Sequence, residues 1–183
     1  RKPPPQDRHR FAGYTREIMA DRSHIAYFRN FVFGVEDSLV STVGLLSGVA
    51  IAGMTSHQVF VTGVILIFVE AISMAAGSFL SESTAEEYAT GSEALSSKSY
   101  LSSAVMFVSY FISGFIPLAP YLFFTSGTAF WVSIAASLIS LLILGIVGAK
   151  LTKTRMTTNA FRMVCIGGLA IGVGVLVGKV LGL

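Results

Sequence analysis

A run of 23 residues from Phe31 to Gly53, FVFGVEDSLVSTVGLLSGVAIAG, sets two adjacent carboxylates, Glu36 and Asp37, inside a stretch of membrane-crossing length. At about 1.5 Å of rise per residue such a helix reaches roughly 34 Å, enough to cross a hydrocarbon core of about 30 Å with some tilt. A carboxylate inside that core costs several kcal/mol unless it faces protein, water or a cation. The pair is therefore the first functional candidate, and the other segments must supply what holds it there.

Composition extends one span to several. Of 183 residues, 53% are hydrophobic and only 13% are charged, against about 25% charge in a soluble domain. Five apolar segments follow one another at about 31–53, 58–81, 101–122, 128–149 and 160–182. The expected fold is all-α, a polytopic membrane protein with five transmembrane helices. Residues 1–29 are expected to be a basic cytoplasmic tail, proline-rich at first and then an amphipathic helix near 11–28 on the membrane surface. Residues 30–183 form the transmembrane domain, broken by a polar, acidic insert at 82–100. The single cysteine, Cys165, excludes an internal disulfide and is expected to be a buried thiol.

Basic residues orient the chain. Seven Lys and Arg precede the first span, Lys98 lies between the second and third, and Lys150, Lys153, Arg155 and Arg162 surround the fourth–fifth junction. Alternate loops so carry 12 of the 13 basic residues, and the positive-inside rule places the N-terminus in the cytoplasm and the C-terminus outside.

Two spans carry chemistry. In the first, Asp37, Ser41, Gly44 and Gly48 share one helical face, and the Gly44/Gly48 pair lets another helix approach closely. Glu36 is turned about 100° from that face, toward a neighbouring helix or back toward the cytoplasm. In the second span, Glu70, Ser73, Met74, Gly77 and Ser81 form a similar stripe. Counted from the cytoplasmic ends, Asp37 lies about 9 Å deep and Met74 about 10 Å, with Glu70 a turn deeper. Carboxylate oxygen with thioether sulfur suits a borderline divalent ion such as Fe²⁺ better than Mg²⁺ or Ca²⁺. A methionine in a membrane helix is more often packing than ligand, and a buried acid can be structural. Two acidic spans at matched depth favour transport. Glu82, Glu86 and Glu87 in the insert form either an acidic cytoplasmic mouth that concentrates cations or an ordinary solvated loop. Without a nucleophile–base set or an open His-rich site, no enzyme is expected, nor a nucleic-acid partner.

EDSLVSTVGLLSGVA in the first span and EAISMAAGSFLSE in the second resemble the vacuolar iron transporter family of divalent-metal/proton antiporters. The resemblance covers about residues 30–183. It implies a two-fold homodimer whose first spans line the translocation path, with Asp37 and Met74 binding the metal in transit. The small residues beside Asp37 agree with such an interface. Three positions depart from the family pattern: Ser38 replaces a usual glycine, Leu66 replaces a usual glutamate with Glu70 a turn later, and the insert is too short for the usual cytoplasmic metal-binding domain. The expected function is export of Fe²⁺, or of Mn²⁺, Co²⁺ or Zn²⁺, from the cytoplasm in exchange for H⁺, with no resident cofactor. A passive cation channel and a non-transporting membrane partner are the alternatives. The expected membrane is the inner membrane of a prokaryote or a vacuolar membrane.

Overall fold

The computed structural model describes residues 5–91 and 97–182, with side chains from Ile25 onward. Six helices occupy them: α1 (Pro5–Ile51), α2 (Ser56–Thr90), α3 (Ser97–Leu118), α4 (Pro120–Phe123), α5 (Ser126–Leu151) and α6 (Met156–Leu181). Five stretches are long and apolar enough to cross a membrane: Ile25–Ile51, Ser56–Thr90, Ser97–Phe123, Ser126–Leu151 and Met156–Leu181. The all-helical, five-span expectation holds.

Local chemistry sets the breaks. Gly53 takes a positive φ of 92° between α1 and α2, a backbone conformation that a side chain would strain. Thr55 then caps α2 reciprocally, with Gln58 N–H donating to Thr55 Oγ1 at 3.4 Å and Thr55 N–H to Gln58 Oε1 at 2.9 Å. At its far end α2 continues past Ser81 to Thr90, where Gly91 closes it in the left-handed region. Much of the polar insert is thus a helical extension. Pro117 sits inside the last turn of α3 and Pro120 begins α4, as a residue lacking an N–H should. α1 runs without a break between its tail and its span. The amphipathic surface helix expected at 11–28 depends on side chains that, before Ile25, lie outside the described residues.

α1 is the central element. It packs against α2, α3, α5 and α6, while α2 leans on α3 and α6 on α5. Leu46, Val59, Ile67, Leu118, Tyr121 and Ala129 make an apolar core beside the α1–α2 turn. Lipid tails are as apolar as leucine, so burial alone does not hold such helices together; close packing and interhelical hydrogen bonds do, at about 0.6 kcal/mol per bond. The seams of α1 with α2 and α3 supply several. Asn30 Nδ2 donates to Ser78 Oγ at 2.8 Å and Ser102 Oγ at 2.6 Å, and Ser38 Oγ donates to the Tyr110 carbonyl at 2.7 Å.

The packing gives the glycine pair a neighbour within the chain and corrects the expectation of a buried Cys165. The helix that Gly44 and Gly48 admit is α6 of the same chain: a Cβ on Gly48 would lie 2.7 Å from the Gly174 carbonyl oxygen, and one on Gly44 would lie 3.2 Å from that of Ala170. Cys165 is exposed, because α6 packs through one narrow face that includes Ala160, Gly167 and Gly178.

Candidate functional site

Asp37 reaches the site because α1 presents it beside the small residues that let α6 close in. It stands in a groove of 820 Å³ between α1 and α6, with Ser41, Gly44 and Gly48 on the α1 wall. The groove is open along the outside of the chain, and Asp37 is half-buried. From α2, Glu70 comes within electrostatic reach of Asp37. From α3, Tyr110 comes within reach of both carboxylates, and its hydroxyl shares a 2.8 Å hydrogen bond with Ser41 Oγ. Three helices thus converge on one polar locus inside an apolar body.

Met74 follows from the helix register. Asn30 bonds Ser78, and Leu46 covers Gly63, so α1 and α2 run antiparallel in a known alignment. Stepping inward from the Asn30–Ser78 pair by about seven residues on each helix brings Asp37 level with Ala71. Asp37 then lies between Glu70 and Met74 in depth, about one residue from the first and three from the second. Around α2, Met74 falls on the arc between Glu70, which reaches Asp37, and Ser78, which reaches Asn30. Ser73, Gly77 and Ser81, the rest of that stripe, are exposed. Among the described residues no group of three or more His, Cys, Asp or Glu side chains converges on one point. One chain places Asp37 in an open groove, Glu70 within electrostatic reach of it and Met74 at a neighbouring depth on α2, an open arrangement and not a closed cage.

The remaining acids lie outside the α1–α6 groove. Glu36 lies in a second cavity, of 350 Å³, between α1, α5 and α6, lined also by Arg29, Asn159 and Met163. Arg162 of α6 and Asp37 are its charged neighbours. Glu82 on the extended α2 pairs with Arg29 at 3.7 Å, Glu86 is half-buried and Glu87 is exposed. These three stand on the helical extension, at the end of the bundle that carries Arg29, Lys98, Lys150, Lys153, Arg155 and Arg162. Sequence reasoning missed Tyr110 and the Glu36–Arg162 approach. The signal for Tyr110 was the helical recurrence of Ser102, Met106, Ser109, Tyr110 and Ser113, all buried on α3.

A family model described as the VIT family matches residues 28–100 and 85–179. The chain belongs to the VIT family. These are the vacuolar iron transporters, so the chain is a multi-pass integral membrane protein of a metal-transporting family. The two matched stretches overlap across 85–100, inside the insert. No curated protein matched the chain.

Proposed function

We propose that this VIT-family chain exports Fe²⁺, or a similar divalent ion such as Mn²⁺, Co²⁺ or Zn²⁺, from the cytoplasm in exchange for protons. One observation carries the reading: Asp37 of α1 and Glu70 of α2 stand within electrostatic reach of each other inside the apolar body. Two carboxylates so placed repel each other unless a cation or protons neutralise them. Loss of a divalent ion leaves both demanding compensation, and protons supply it. Met74 adds a sulfur that favours the softer cargo. Asp37 faces outward into the α1–α6 groove, so a second copy seated there would complete the ligand set around a two-fold axis. That homodimer is part of the proposal. Glu82, Glu86 and Glu87 gather cations at the cytoplasmic mouth.

The test is purified protein in liposomes loaded with a pH reporter and offered each of the four ions in turn. Metal uptake accompanied by opposite proton movement is the expected result. Metal flux that leaves the proton gradient untouched would make the chain a passive channel, and absent flux would remove the transport reading.

A further inference from the structure

We infer that Tyr110 is a positioning residue for the metal-binding carboxylates, acting through Ser41. Its ring is fully buried, and α1 holds it at both ends: Ser38 Oγ donates to its carbonyl at 2.7 Å, and Ser41 Oγ bonds its hydroxyl at 2.8 Å. Ser38 follows Asp37 directly and Ser41 lies one helical turn further along α1, so the residues that fix the phenol are close to the carboxylate it serves. A serine hydroxyl and a phenol carry one proton each. One is consumed in the bond between them, and the other can serve Thr42 beside the phenol or the groove wall. The charged groups within electrostatic reach of Tyr110 are Asp37 and Glu70. Ser41 stands one helical turn from Asp37 on the same wall of the groove, so its hydroxyl, fixed by the phenol, keeps Asp37 aimed into the groove before the cation arrives. The alternative use of a buried tyrosine is packing alone, and Phe would satisfy that equally well.

This inference rests on Asp37 and Glu70 carrying the metal, so the experiment separates the two ideas. Flux is measured in liposomes for wild type, Asp37→Asn, Tyr110→Phe, Ser41→Ala, Ser41→Thr and the Tyr110→Phe/Ser41→Ala double variant, at matched amounts of folded protein. Tyr110→Phe keeps the buried ring and should raise the KM for metal about tenfold, the usual effect of losing a partner that orients a metal ligand. The maximal rate should stay near wild type. Ser41→Ala should match it, the double variant should be no worse than either single one, and Ser41→Thr should restore the wild-type KM. A structural role would lower the folded yield and leave KM unmoved. Asp37-dependent flux with an unchanged KM in Tyr110→Phe, or additive effects in the double variant, would overturn the positioning role while sparing the transport reading. A wild type without flux, or one indifferent to Asp37→Asn, would overturn both.

Discussion

At the scale of single residues, the proposed transport rests most on Asp37. Replacing it with Asn keeps its size and hydrogen bonding but removes the charge proposed to balance a divalent ion. Asp37→Asn is expected to abolish metal flux while leaving the fold intact or slightly steadier, since a carboxylate in the apolar body costs several kcal/mol. Flux in liposomes together with thermal unfolding in detergent checks both halves, and near-normal flux from a folded variant would end the mechanism. Met74→Leu conserves volume and deletes only the sulfur. It should weaken Fe²⁺ and Co²⁺ more than Mn²⁺, and an equal loss across the three ions would reduce Met74 to packing. Arg29 and Glu82 bear less weight. Their 3.7 Å pair has an arginine side chain 68% exposed, and pairs of that kind contribute about 0–1 kcal/mol.

At the scale of elements, the α1–α6 contact is the one most sensitive to bulk. Gly48 leaves no room for a side chain, whereas nothing lies within 4 Å of a Cβ built on Gly172. Gly48→Leu should therefore force the two helices apart and cost at least the 1–3 kcal/mol typical of overpacking. Gly172→Ala should be neutral or stabilising by up to about 1 kcal/mol through helix propensity. Thermal unfolding of the two variants in one detergent decides it. Equal midpoints would mean that the glycine contact does not hold α6 to α1. The α1–α3 seam is polar where the α1–α6 contact is close-packed, and Asn30, reaching Ser78 of α2 and Ser102 of α3 at once, ties three helices together.

The whole molecule has a basic end and a nearly uncharged one. Lys179 alone, among the described lysines and arginines, lies toward the other end. In a Cys165→Ser background, Met54→Cys should be labelled by a membrane-impermeant reagent from outside and Lys153→Cys only after the membrane is opened. The reverse pattern would invert the transport direction. Neutralising Glu82, Glu86 and Glu87 together should raise the KM for metal yet leave the maximal rate nearly intact, because a charged mouth concentrates ions without forming the binding site. A collapsed maximal rate in folded protein would move these glutamates into the path itself.

Span number, helical class and the acids worth suspecting were all legible in the chain, because in lipid each helix satisfies its own backbone and shows its length in uninterrupted apolar residues. Asp37 and Glu70 stood out for the same reason: an ionisable group in such a run is costly and rare. Which helix meets which was not legible. The spacing of Gly44 and Gly48 announced a close neighbour, but a small-residue stripe is the same whether its partner is another chain or the same one, and only the packed bundle identified α6. Tyr110 was hidden for a related reason. A tyrosine in an apolar span is unremarkable until the helix beside it is known, and its hydroxyl acquires a role only when the α1–α3 crossing sets it against Ser41 and within reach of two carboxylates from different helices. Periodicity within a segment is a property of the sequence, whereas rotation and register between segments come from side chains that meet only once the bundle has closed.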